Sequence, residues 1–264
     1  MYVKSSEKRS RQQLVDYSKL LWEKSWVANH DGNLSMRLSP DRFLCTPTSF
    51  SKRLVDEDAL LQVDAQGKKI AGALRPFGEL ELHLAVYAGR ADVNAVIHAH
   101  PPYASAMSCA GVGLDEPIIA EAVVSIGTCV PLVPFACPGS GETVKQLAPF
   151  VPVFDVVLLE NHGVMAWGSD LEQAFLRLEL AEHLCKIATL AKPWGGAKAL
   201  PNDAIGRLLE ARRRAGLGPE ARGIDIAGMR RVAPAASSTA TTAVQPSRED
   251  LVRIITEELK SLIR

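Results

Sequence analysis

Two imidazoles stand one residue apart in VNAVIHAH, residues 93–100, and the chain then stops short at Pro101-Pro102. The apolar residues of this run alternate, which predicts a strand, and on a strand residues i and i+2 share a face. His98 and His100 are therefore expected to converge on one side of a sheet. At that spacing both reach one divalent ion without bending the backbone, and neutral imidazole suits zinc, manganese or iron. The same pair also fits ordinary surface or core histidines. A third imidazole sits in LLENHGVMAWG, residues 158–168, where the turn Glu160-Asn161-His162-Gly163 between two apolar runs puts His162 at a hairpin tip. Tips held by rigid strands are where function tends to sit, although Asn-His-Gly also supplies residues tolerant of positive φ, with Gly163 serving as such. Finally, Glu79 opens a helix in FGELELHLAVYAGR, residues 77–90. A carboxylate in a first turn stays ionised in the field of the helix dipole, a state suited to a metal ligand or a base, and Glu is common there in any helix.

The elements that must position these residues are legible as periodicities. Residues 6–28 read as a helix with Leu14, Tyr17, Leu21 and Ser25 on one face, ending at His30-Asp31-Gly32. GNLSMRL (32–38) and RFLCT (42–46) flank the turn Ser39-Pro40-Asp41 and predict a hairpin, followed by TPTS (46–49) as a loop. Strands are expected at 60–63, 69–73, 93–100 and around 117–133, a hairpin at 154–168, and helices at 79–90, 101–110, 141–150 and 170–192. Neighbouring strands joined by turns too short for a helical crossover imply an α/β protein whose sheet is largely antiparallel, with helices on its faces.

Composition narrows the class of function. The 264 residues are 47% apolar, enough for one generous core. Lys plus Arg equals Asp plus Glu at 30 each, so no global field gathers nucleic acid or an anionic membrane. The longest apolar runs, such as VVLL at 156–159, fall far short of the roughly 20 residues that span a bilayer. The opening MYVKSSEKRSRQQ is polar where a signal peptide is apolar, so a cytoplasmic protein is expected. Five scattered cysteines without a CxxC pair read as reduced residues, mostly in the core.

Taken in order, GNLS, TPTS, Pro76-x-x-Glu79 with His83 four residues on, HAHPP and ENHG resemble the class II aldolase/adducin family, over residues of about 10–195. The resemblance implies a three-layer α/β/α fold around a central, mostly antiparallel sheet, and a homotetramer with sites between adjacent subunits. It also implies a divalent metal, zinc foremost with manganese or iron as alternatives, held by His98, His100 and His162, and a catalytic carboxylate at Glu79. Asn33, Thr48 and Ser49 match the family's phosphate contacts, with the backbone N–H of Gly78 at the helix N-terminus as a further donor. His30, His83 and His183 have no such match, and His83 reads as a satisfied structural histidine. In the family, glutamate at the position of Glu79 goes with aldolases and aspartate with epimerases. The expected reaction is therefore cleavage of a ketose phosphate of the L-fuculose 1-phosphate type into a three-carbon ketone phosphate and an aldehyde. The alternatives are a decarboxylase of an aromatic hydroxy-acid built on the same metal set, and an adducin-like binding module.

Two departures from the family pattern stand out. Pro76-Phe77-Gly78-Glu79 replaces Pro-Ser-Ser-Glu, removing two hydroxyl donors to phosphate, and no tyrosine follows Tyr103 where family aldolases carry proton-donating tyrosines late in the chain. Beyond a catalytic domain at 1–231, residues 232–246 have the small, uncharged, Pro-containing composition of a flexible linker. Residues 247–264, SREDLVRIITEELKSLIR, open with Ser247 as N-cap and carry Leu251, Ile255, Leu259 and Leu262 on one side of a helix. This segment resembles the encapsulation peptides of bacterial microcompartment cargo, which bind shell proteins or fellow cargo.

Overall fold

On strand β5 (Ala95–Ala99) every residue is buried, with Ala95, Ile97 and Ala99 in one apolar core and Val96 in another. The same division runs through β7 (Val156–Leu159) and β8 (Gly163–Gly168), where Val156, Leu158, Val164 and Ala166 join the first core and Val157, Leu159, Met165 and Trp167 the second. A strand has only two faces, so a sheet of this kind must be covered on both. The computed structural model, which describes residues 2–137 and 141–224, shows that arrangement. Its eight strands lie in the order β4-β3-β2-β1-β5-β8-β7-β6. Every neighbouring pair is antiparallel except β6 (Leu132–Val133) with β7. The remaining strands are β1 (Asn33–Ser39), β2 (Arg42–Cys45), β3 (Leu61–Asp64) and β4 (Lys69–Ala71).

Helices α1 (Tyr2–Glu23), α3 (Pro102–Cys109), α4 (Ala120–Ser125) and α6 (Leu171–Ala191) supply Leu14, Leu21, Met107, Ala122, Phe175 and Leu178 to the first core. On the opposite face α2 (Leu80–Gly89) and α5 (Glu142–Leu147) supply Leu80, Leu82, Val86 and Leu147 to the second. The result is the three-layer α/β/α architecture with a mostly antiparallel sheet. Asp155, fully buried just before β7, ties the layers together. It pairs with Arg90, Arg177 and Arg212 at 3.0, 3.3 and 3.0 Å, and with Arg222 at 3.6 Å.

Two local expectations are corrected. Helix α1 ends at Glu23 rather than 28 because Ser25 takes a left-handed conformation (φ 58°), and Trp26 N–H bonds back to Leu21 C=O at 3.0 Å; a serine closes the helix in the way glycine usually does. Residues 117–133 are mostly not strand. Ala122, Val123 and Ile126 are buried along the short helix α4, so burial on one helical face overrides the β preference of the valines and isoleucine. Helix α7 (Asn202–Arg214) completes the described elements and sends Arg212 inward to Asp155. The expected linker, 232–246, and the expected amphipathic segment, 247–264, lie outside the described residues. Among the described residues no helix is long and apolar enough to cross a membrane.

Candidate metal centre and its carboxylate

The site lies on the α2 side of the sheet. Asn33 on β1 sits opposite His98 on β5, and His98 opposite Met165 on β8, so three central strands carry the floor. His98 faces the layer occupied by Val96, as the two-residue period requires. His100 follows just past the strand end, and its N–H is held by Trp26 C=O at 2.8 Å. His162 rides the turn between β7 and β8, where Asn161 adopts the positive φ (54°). Gly163 is required for a different reason from the one its place in the turn suggests. A Cβ there would stand 2.5 Å from both Ala99 C=O and His100 Cδ2, so the missing side chain lets the hairpin close over the second histidine.

These elements bring His98, His100 and His162 together, with one nitrogen of each lying within 4.8 Å of the others. Their outer nitrogens fix the tautomers. His98 Nδ1 lies 2.9 Å from Val164 C=O, which only accepts, and His100 Nδ1 lies 2.9 Å from Asp31 Oδ2. Both Nδ1 atoms are donors, which leaves each Nε2 with a bare lone pair in the neutral ring. Burial drives His98 down to about 3 and lowers His100 as well, with His162 adding to the latter effect. The two Nε2 atoms nevertheless face one another at 3.0 Å. Two lone pairs so placed repel unless a cation lies between them, and tetrahedral zinc would hold its nitrogens about 3.4 Å apart. The donor set fits a divalent metal, with the Asp31–His100 and Val164–His98 bonds as the outer supports that metal-binding histidines require.

Glu79 is the N-cap of α2, yet its carboxylate caps no N–H of its own helix. It turns instead to His162 Nε2 at 2.9 Å, to His98 Nε2 at 3.5 Å and to Asn33 Nδ2, which donates at 2.8 Å. Burial alone would raise its pKa. The imidazoles of His98 and His162 and the amide of Asn33 outweigh that and hold it far below the usual carboxylate range. With His98 neutral, the hydrogen bonds from His162 and Asn33 carry that effect near pH 7, and Glu79 is an ionised base beside the three nitrogens.

The other sequence-selected residues are spread around this centre. Asn33 is buried and spends its amide on Glu79. Thr48 and the exposed Ser49, itself at φ 52°, lie on a loop tied to the segment before α2 by Thr48 N–H to Arg75 C=O at 3.0 Å and by a Pro47–Pro76 bridge. Phe77 points into the second core and packs on His83, so it does not line the opening, whereas Gly78 is exposed with open space where a Cβ would stand. His83 is not fully satisfied: Nδ1 meets Ser35 Oγ at 2.7 Å, but the buried Nε2 has no partner in the protein. Asp31 escaped the sequence reading as anything but a turn residue, and the only hint was an acid immediately before the Gly-Asn of GNLS.

Residues 12–189 match the class II aldolase and adducin N-terminal domain. The chain belongs to that family. Among its relatives, this class II aldolase family member is 31% identical over 188 residues to the 3-oxo-tetronate 4-phosphate decarboxylase of Pectobacterium atrosepticum, a match covering 69% of this chain and 85% of the relative. It is 28% identical over 205 residues to the 5-deoxy-D-ribulose 1-phosphate aldolase of Bacillus thuringiensis serovar kurstaki, covering 76% of this chain and 93% of that one. A solved L-fuculose 1-phosphate aldolase superposes with a TM-score of 0.70 at 29% identity, covering 76% of this chain and 94% of the other. The aldolases and decarboxylases among its family relatives make the protein a metal-dependent lyase.

Proposed function

We propose that the protein cleaves a carbon–carbon bond next to a ketone by way of an enediolate, and that its reaction is the decarboxylation of a phosphorylated 3-oxo sugar acid of the 3-oxo-tetronate 4-phosphate type. The observation that carries the reading is the pair of unprotonated Nε2 atoms facing each other beside an ionised Glu79. A divalent ion held by His98, His100 and His162, zinc in this proposal, supplies electron withdrawal from the adjacent ketone and hydroxyl oxygens of such a substrate. In the reaction the carboxylate carbon leaves as CO2. The bonding pair it gives up becomes that of the enediolate, and the carbon left behind gains one proton, giving a three-carbon ketone phosphate. Glu79, ionised at rest, takes up one proton from solvent and delivers it to that carbon, so that the substrate carboxylate plus one proton becomes CO2 and the ketone phosphate with its hydroxyl intact. Asn33 keeps the carboxylate aimed, and Thr48, Ser49 and the N–H of Gly78 are the proposed phosphate contacts. This reading keeps the decarboxylase of the sequence analysis but replaces its aromatic hydroxy-acid, because the decarboxylases similar to this chain act on a phosphorylated sugar acid.

Aldol cleavage of a ketose phosphate is the second reading, favoured by the aldolases among the relatives and by glutamate at position 79. Both reactions give the same three-carbon ketone phosphate, so the co-product decides. Metal-loaded protein is incubated with 3-oxo-tetronate 4-phosphate and, separately, with L-fuculose 1-phosphate, and CO2 and aldehyde are measured. CO2 release from the first supports decarboxylation; aldehyde from the second with no CO2 from the first overturns it in favour of the aldolase. A homotetramer, and targeting to a microcompartment by residues 247–264, are proposed with either reading; under the aldolase reading enclosure would in addition retain a reactive aldehyde.

A further inference from the structure

Helix α2 rests on β1 through polar rungs. Glu79, His83 and Tyr87 recur every four residues and form one stripe of the helix; Asn33, Ser35 and Arg37 recur every two and form one face of the strand. They meet in order. Asn33 donates to Glu79 at 2.8 Å, Ser35 Oγ lies 2.7 Å from His83 Nδ1 and 2.8 Å from Tyr87 Oη, and Arg37 donates to Tyr87 C=O at 2.8 Å. The Arg37 guanidinium also stacks over the Tyr87 ring at 5.0 Å and donates to Val93 C=O at 3.0 Å. Ser35, His83 and Tyr87 are buried.

Such a wall is costly as packing alone. Among the described residues, His83 Nε2 and Asn33 Oδ1 are buried polar atoms with no protein partner, and an apolar stripe would avoid both. What the polar rungs add is register. Apolar contacts tolerate small sliding of a helix over a sheet, whereas sliding or turning α2 here strands a buried hydroxyl and an imidazole. The carboxylate at the head of the stripe must lie within 2.9 Å of His162 and 3.5 Å of His98, so its place depends on that register.

We infer that Ser35, His83 and Tyr87 are positioning residues that lock α2 on β1 and so hold Glu79 over the histidine centre. The inference rests on Glu79 as the proton-handling group. Its test uses the full chain with Ser35→Ala, His83→Leu and His83→Asn, the last keeping a polar atom where Nδ1 stands. Three readouts are taken: amide hydrogen exchange at residues 80–83, zinc affinity, and kcat and KM on whichever of the two substrates above is turned over. Exchange at 80–83 should quicken at least tenfold in Ser35→Ala and His83→Leu while β5 and β8 are unchanged. Zinc affinity should stay within about twofold, kcat should drop at least tenfold with KM within about threefold, and His83→Asn should recover most of both losses. If His83→Leu does not fold, Tyr87→Phe, which removes one hydroxyl and keeps the ring, is expected to move the same readouts by a smaller factor. Unchanged exchange in the folded variants, no rescue by His83→Asn, or zinc affinity falling in step with kcat would each overturn the inference. The exchange measurement needs neither metal nor substrate, so it decides the matter even where both substrate readings fail.

Discussion

Replacing Asp31 should weaken metal binding without touching a ligand. Asp31 accepts from His100 Nδ1 at 2.9 Å through Oδ2, and its other oxygen accepts from the N–H of Ala28, so one carboxylate both orients an imidazole and closes the loop that carries it. Loss of an outer partner of this kind typically costs 10–100-fold in metal affinity, about 1.4–2.7 kcal/mol. Both side chains of the pair are about a quarter exposed, at 27% and 29%, so water screens part of the interaction and replaces part of what is lost. Asp31→Asn, which keeps one acceptor oxygen, should therefore lie near the tenfold end. Asp31→Ala frees the Ala28 N–H as well and should approach a hundredfold. The measurement is competition for zinc against a chromophoric chelator at pH 7.5, with the thermal midpoint of the metal-free protein checking that the fold is intact. His98 serves as the internal control, since its Nδ1 partner is the main-chain carbonyl of Val164 and survives either substitution. Wild-type affinity within twofold in a folded Asp31→Ala protein would refute the tautomer argument on which the centre is built.

Four further outcomes are expected. Gly163→Ala should lose metal affinity and stability together, by about 1–3 kcal/mol in the latter, because its methyl meets Ala99 C=O and His100 Cδ2 at 2.5 Å, whereas Gly78→Ala, with nothing within 4 Å, should be tolerated in chelator competition and urea unfolding alike. The metal-free protein should lose stability as pH falls: His83 and His98 are held neutral with pKa near 3 by burial, so from about pH 6.5 downward the unfolded chain binds protons that the folded one refuses, and unfolding at pH 5.5 should cost about 3 kcal/mol less than at pH 7.5, to be read in urea titrations. Asp155→Ala should cost about 3–5 kcal/mol in the same titrations, since it leaves buried guanidiniums of Arg90, Arg177 and Arg212 without their shared anion. A fluorescent protein fused to residues 232–264 should co-purify with microcompartment shells and a Leu251→Glu, Ile255→Glu version should not; equal behaviour of the two would remove the targeting proposal and leave the enzyme reading intact.

What was legible in the sequence follows the range over which its signals act. The β1–β2 hairpin, β5, the β7–β8 hairpin and α6 declare themselves through short-range alternation and turn residues, and α6 through Asp170, whose side chain accepts from Gln173 N–H as an N-cap. The pair His98 and His100 is legible for the same reason, because an i, i+2 relation on a strand needs no knowledge of the rest of the fold. The end of α1 was not, since Ser25 carries no mark of the left-handed conformation it adopts. Nor was α4, where Ala122 and the Ile126 that follows the helix are set by the core they enter. The outer layer of the site was least legible. Asp31 and His100 are 69 residues apart and Ser35 and Tyr87 are 52 apart, joined only once β1, β5 and α2 are stacked.

The division of labour between sheet and helix also bears on the chemistry. His98 is held by main-chain ladders on both sides, and His100 directly follows the paired strand β5 and His162 directly precedes the paired strand β8, a rigid support. Glu79 comes from another layer and reaches the histidines from the head of α2, so its position is adjustable by the contacts beneath the helix without disturbing the ligands. Decarboxylation demands of such a centre only electron withdrawal and one group that returns a proton to carbon, because CO2 departs without giving up a proton. Aldol cleavage demands in addition a base at the departing hydroxyl. His98, His100, His162 and Glu79 meet the first demand as they stand. For the second, Glu79 would have to take the proton of the departing hydroxyl as well as deliver one to carbon, and that added demand on a single carboxylate favours the decarboxylation reading over cleavage to an aldehyde at this site.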